Sequence, residues 1–224
     1  MKQGIYSPER VKRHLVRRVL TYVAGLFLIS IAINLFVYAD LGNSAATTVG
    51  VVYSARFDLP LGTCSLIMYT GMVVGQLILF GRAFQWINLW QVPFAIFYGK
   101  SVDLVAAYMP VITPSNLIAQ CLLLVAGLVI IAVGILMFVG TELVPMPLEG
   151  LALAISMKTH LQFHQSKILI DCTCAGVALI SSILFFGELV GVGIATVFLA
   201  ISTGWMMGKI KPYLPRWIQN WHLS

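Results

Sequence analysis

The chain has 224 residues, 59% of them hydrophobic and only 10% charged, where a soluble domain runs near a quarter charged. One soluble core could not hide that much apolar sequence, which excludes a soluble helical bundle and leaves an all-α integral membrane protein. The net charge of +6 lies mostly at the two ends; basic residues flanking spans stay cytoplasmic, so both termini are expected inside, and topology accounts for the basic tail without nucleic acid as a partner.

Residues 1–18 carry Lys2, Arg10, Lys12, Arg13, Arg17 and Arg18 and read as a basic lead-in lying on lipid headgroups. Val19 to Ala39 is the first span. It is too long for the apolar core of a signal peptide and no small-residue cleavage pattern follows, so it is not expected to be cleaved. Asn34 lies inside it with Ser30 one turn earlier, a pattern that serves helix packing or a ligand contact. The span ends in Tyr38-Ala39-Asp40-Leu41-Gly42-Asn43-Ser44, a carboxylate followed by a small polar turn. A short helix, Ala45 to Ala55, comes next, with Ser44 as its expected N-cap. Leu61 to Phe80 is the second span and Ile87 to Met109 the third. The third carries Lys100 and Asp103 on one face and Pro93, which is expected to kink it.

Residues 110–116 link the halves. Leu117 to Val139 is the fourth span, closed by Gly140-Thr141-Glu142-Leu143-Val144-Pro145-Met146-Pro147, and Leu148 to Met157 is a second short helix. Lys158, His160, His164 and Lys167 form a basic connector. Ile168 to Phe186 is the fifth span, with Asp171 one turn inside it, and Leu189 to Met207 returns the chain to a basic tail at 209–224.

Laying Gly25 on Gly127 aligns the halves without a gap for over fifty residues and brings Asp40 onto Glu142, 102 positions later. After a four-residue insertion Gly81 meets Gly187, and Gly99 falls near Gly204. Residues 19–109 and 117–208 therefore read as two membrane repeats of a duplicated transporter-type fold. If the short helices re-enter, each repeat has three spans and the halves are inverted. If they cross, there are eight crossings, the halves are parallel, and Arg82 changes sides. Eleven helical residues cover only ~16 Å, short of the ~30 Å core, which favours three spans plus one short helix per repeat.

An ionisable group inside a span costs ~2.5–3.5 kcal/mol and is a functional candidate. Asp103 and Asp171 qualify, each with a cation nearby, Lys100 and Lys167. Each pair reads either as an ion pair easing burial or as a working carboxylate, and Asp171 is the better candidate because Lys167 can reach the interface. Asp40 and Glu142 either cap the short helices that follow or carry a proton or Na⁺, while the free N–H groups at those helix starts can bind an anionic group. His160 and His164 lack the glutamate of a zinc-protease helix. Cys64, Cys121, Cys172 and Cys174 sit in or beside apolar runs and are expected free and buried. No nucleophile–base set, phosphate loop or metal cluster stands out, so neither enzyme activity nor a cofactor is expected.

Ala39-Asp40-Leu41-Gly42-Asn43-Ser44, Leu61-Gly62-Thr63 and Gly99-Lys100-Ser101-Val102-Asp103-Leu104 resemble the YczE-type membrane proteins (the YczE/YyaS/YitT grouping) over most of residues 20–210. The resemblance implies a multi-pass bacterial inner-membrane protein. Pro147-Leu148-Glu149-Gly150 keeps that family's Pro-x-acid-Gly, and Lys167 and Asp171 match its basic-then-acidic pair. Ala45 and Ala46 replace a Pro and an aromatic residue, Thr47 or Thr48 stands where an acid is usual, Glu142 replaces Asp, and Val144 replaces Gly. The missing first-half acid breaks a simple two-fold site. The candidates for binding a solute or ion are then Asn34, Asp40, Asn43, Ser44, Lys100, Asp103, Glu142, Glu149, Lys167 and Asp171. The expected function is a secondary transporter or permease for a small solute, proton- or ion-coupled; the alternative is a non-transporting accessory protein that binds lipid or another envelope protein. A homodimer is compatible with either.

Overall fold

The computed structural model describes residues 15–81, 84, 86–141, 143–159, 161 and 163–213. The first fourteen residues of the lead-in, Arg82, Glu142, His160 and the tail from 214 lie outside the described residues, as do the side chains of His164 and Lys167. The described chain is all helical: α1 (Leu15–Ala39), α2 (Ala45–Phe57), α3 (Leu61–Phe80), α4 (Gln91–Tyr108), α5 (Leu117–Val139), α6 (Pro147–Thr159), α7 (Phe163–Phe186) and α8 (Ile194–Ile210), with 3₁₀ turns at Trp86–Trp90 and Lys211–Tyr213.

Among the described residues, four helices are long and apolar enough to cross a membrane: α1, α3, α5, and α7 over Ile168–Phe186. The short helices α2 and α6 have 13 residues each, about 20 Å at 1.5 Å per residue and below the hydrocarbon thickness. The third predicted span differs at its start. Its first residues form the 3₁₀ turn, and α-helix begins only at Gln91. Pro93 therefore falls in the first turn, where its missing N–H breaks no helical bond, instead of kinking an interior. The last predicted span is also shorter. Residues 187–193 form a loop, held where the Ser182 hydroxyl donates to Glu188 O at 2.7 Å and accepts from Val190 N at 2.7 Å.

The most extensive contact is between α1 and α5, which cross antiparallel. Gly25 lies against Gly134, and Gly127 lies against Ala32 and Phe36. Glycine and alanine at a crossing let two backbones approach closely, which is how helices associate where no hydrophobic drive operates. At one end Arg18 Nη1 donates to Thr141 O at 3.0 Å and Tyr22 Oη to Val144 O at 3.1 Å. Against this pair pack α4 on α1 and α8 on α5. The outer layer is cross-linked: α2 packs on α7 and α3, and α6 packs on α3 and α7. Leu26, Ile33, Phe36, Val102, Leu128 and Ala132 fill the centre. Asn34 is buried there and serves packing, its Nδ2 donating to Ser30 O at 2.9 Å and to Val102 O of α4 at 3.2 Å.

Candidate functional site

Three polar centres interrupt the apolar bundle. The first joins α3 to α4. α3 starts after Pro60, whose side chain offers no cap, so its first N–H groups need an acceptor from elsewhere. Asp103 of α4 supplies it: Oδ1 accepts from Gly62 N at 2.7 Å and Oδ2 from the Thr63 hydroxyl at 3.4 Å. A carboxylate on a helix N-terminus is favoured by the dipole and by charge-assisted bonding. The approach requires Gly62 and Gly99 to meet backbone to backbone, since a Cβ on Gly62 would collide with Gly99 O. Lys100, three residues from Asp103, is exposed. The carboxylate thus serves the neighbouring helix start, and the two motifs Leu61-Gly62-Thr63 and Gly99 to Asp103 are two sides of one helix crossing.

The second centre surrounds the first turn of α6. Gln76 of α3 and Gln91 of α4 are fully buried and exchange both hydrogen bonds, at 2.9 and 3.0 Å. Gln76 Nε2 also donates to Pro147 O at 3.1 Å. Gly150 fits flat on this amide pair, where a Cβ would come within 2.8 to 2.9 Å of the amide atoms. Glu149, half-buried in the first turn of α6, lies near Tyr69 and Tyr98. Those two rings are buried with centroids 5.6 Å apart, and Cys174 of α7 lies near Tyr69. The amide pair makes a direct prediction. Gln76→Leu or Gln91→Leu alone strands a buried amide and is expected to cost about 1–3 kcal/mol. The double variant should cost clearly less than the sum of the singles, read from thermal unfolding of the purified protein in detergent.

The third centre is the turn before α2. Asp40 is exposed and left-handed (φ 53°), and Gly42 has φ 114°, a conformation natural only to glycine. Gly42 presses on Gly193 and Thr196, Asn43 N donates to Gly191 O at 3.2 Å, and Ala195 N donates to Leu41 O at 3.1 Å. The turn is therefore docked on the start of α8. Ser44 holds the N-cap position, but its side chain makes no cap bond. Its Oγ pairs with Thr47 Oγ1 at 2.8 Å instead. Asn43 is only 3% exposed, and its Oδ1 has no hydrogen-bond partner.

A family model described as a family of unknown function, DUF6198, matches residues 16–212. The chain belongs to DUF6198. The matched stretch runs from the first turn of α1 past the end of α8, so all three polar centres of this DUF6198 chain lie within it. No curated protein matches it. No solved structure matches it.

The candidate residues divide accordingly. Asn43 and Ser44 share the third centre, Glu149 belongs to the second, Asp103 to the first, and Asn34 to the core. Asp171 is half-buried on α7 and has a polar or electrostatic partner. Lys167 is on the first turns of α7, and Glu142 lies outside the described residues. Cys64 and Cys174 are buried, whereas Cys121 and Cys172 are exposed on outward helix faces. Among the described residues no group of His, Cys, Asp or Glu could hold a metal ion. Sequence reasoning missed Gln76, Gln91, Tyr69 and Tyr98. The available signal was two glutamines at the edges of apolar runs, where an amide needs a partner.

Proposed function

We propose that this DUF6198 chain is a YczE-type secondary transporter or permease of the bacterial inner membrane, built from two inverted repeats of three spans and one short helix, with both termini cytoplasmic. The observation that carries the reading is the α1–α5 crossing. The contact of Gly25 with Gly134 becomes, under the 102-residue shift, the contact of Gly127 with Ala32. The same shift carries α2 at 45–57 onto α6 at 147–159. It also carries the Ser54 Oγ bond to Leu59 O onto the Ser156 Oγ bond to Leu161 O. The packing pairs α2–α7 and α3–α6 exchange in the same way. Parity supports the inverted form. If α1 and α5 both cross and run antiparallel, an even number of crossings separates them, which α3 and α4 supply only when α2 does not cross. Short helices that start at buried polar turns inside a bundle are the usual site makers of duplicated transporters.

Charge and aromatic placement agree with that orientation. Arg17, Arg18, Lys209, Trp86, Trp90 and Trp205 fall toward one end, the pattern of a cytoplasmic interface. At the other end Arg56 sits over the rings of Phe57 and Phe185, at 5.8 and 5.6 Å. In proteoliposomes, uptake of the transported solute should follow an imposed proton or ion gradient, and Glu149→Gln should cut the rate by roughly tenfold or more, since it removes the carboxyl group near two buried tyrosines. Absence of gradient-coupled uptake across a broad metabolite panel would count against transport.

One observation favours the accessory reading as well. Among the described residues α7 and α8 barely touch, and α7 leaves Ile168, Leu169 and Leu179 exposed, a face that a membrane partner or lipid could cover. On that reading Glu149→Gln keeps function and substitutions along this face abolish it.

A further inference from the structure

We propose that the N-terminus of α2 binds the carboxylate of a monoanionic solute. This inference rests on the repeat and transporter reading and names the chemistry of its substrate. Thr48 N makes the first helical bond, to Ser44 O at 2.8 Å. The N–H groups of Ala45, Ala46 and Thr47 precede it and have no intrahelical acceptor. All three residues are at least nine-tenths buried, at 9%, 6% and 6% exposure, so water does not readily serve them. Ser44, the residue placed to cap them, bonds the Thr47 hydroxyl instead. A 13-residue helix thus presents its positive end, uncapped, inside the protein.

Asn43, one residue before the cap, is a second and independent sign of a ligand. At 3% exposure its Oδ1 is unpartnered, whereas buried amides are almost always hydrogen-bonded. Rotation about the Cβ–Cγ bond exchanges Oδ1 and Nδ2, so the same side chain can donate to an anion beside the helix start. The other half identifies the anion. Shifting by 102 residues takes Glu149, in the first turn of α6, onto Thr47. In α6 the chain supplies its own carboxylate; in α2 a threonine leaves that place to an external one. Asp40, exposed at the head of the turn, disfavours further negative charge, which selects a monocarboxylate over a dicarboxylate or phosphate.

The test is the melting temperature of the purified full chain in detergent, titrated at fixed ionic strength with sodium acetate, butyrate, succinate, phosphate or chloride. Acetate or butyrate should raise it saturably above the chloride control, and succinate and phosphate should do so less. Asn43→Asp, nearly isosteric, supplies a built-in carboxylate and should weaken the response roughly tenfold or more. Thr47→Glu should do the same while restoring the arrangement of α6. No monocarboxylate-specific rise in the wild-type chain, or an undiminished rise in Asn43→Asp, overturns the proposal; if Thr47→Glu does not fold, Asn43→Asp decides alone. A chain that shows the carboxylate shift but moves no solute in liposomes keeps this site and removes the transporter. One that moves only cations, without the shift, removes the site and keeps the transporter.

Discussion

Gly62→Ala is expected to separate α3 from α4 and cost about 3 kcal/mol or more, read as a large drop in melting temperature. The added methyl would point into Gly99 O and come 2.7 Å from Asp103 Oδ1. Neither obstacle is the flexible tip of a long side chain. One is helix backbone, and the other is the carboxylate that caps α3. Moving apart by the needed ångström or more would also break the Asp103 bond to Gly62 N, so the steric loss and the cap loss coincide. Gly99→Ala should behave similarly, since its Cβ would lie 2.6 Å from Gly62 O. Gly71→Ala on the same α3 helix is the control. Nothing lies within 4 Å of a Cβ there, and the gain in helix propensity, up to about 1 kcal/mol, should leave it neutral or slightly stabilised. Thermal unfolding in detergent reads all three. If Gly62→Ala melts like Gly71→Ala, the backbone contact between α3 and α4 does not exist.

Those glycines mark how far the chain could be read in advance. The apolar runs gave α1, α3, α5 and α7 because length and the absence of charge are properties of the stretch itself. The short helices were legible for the same reason, bounded by Ser44 and Pro60 on one side of the chain and by Pro147 on the other. What lies opposite a residue is not a local property. Asp103 was read with Lys100 because the two are three residues apart, yet its partner is 41 positions away, at the uncapped start of another helix. Gln76 and Gln91 find each other across the α3–α4 turn, and a single glutamine in an apolar run says only that it needs something. The empty amide of Asn43 was not legible at all, because its neighbours come from the α8 loop, almost 150 residues on.

Gly134→Val in α5 is expected to be at least as damaging as Gly62→Ala, because it acts on the pair to which α4 and α8 attach. A Cβ at 134 would lie 2.8 Å from Gly25 O and 3.2 Å from Ile29 N, both backbone of α1. The reciprocal change, Gly25→Val, meets Gly134 O at 2.7 Å and Phe138 N at 2.9 Å. Each alone should lower stability by about 3 kcal/mol or more. The two variants should not add when combined, because once the helices have moved apart for one side chain there is room for the other. Gly127→Ala is the graded comparison. Its closest obstacles are the Cε1 and Cδ1 atoms of Phe36, at 2.5 and 2.9 Å, with Ala32 O at 3.3 Å. A ring can rotate aside where a backbone cannot, so the loss there should be smaller and partly recovered by Phe36→Leu. The ranking matters more than any single value. Backbone obstacles at 25 and 134 and a side-chain obstacle at 127 follow only from an antiparallel crossing in this register. A rank order with Gly127→Ala worst would mean the two helices meet differently, and with that register would go the parity argument for an inverted pair of repeats.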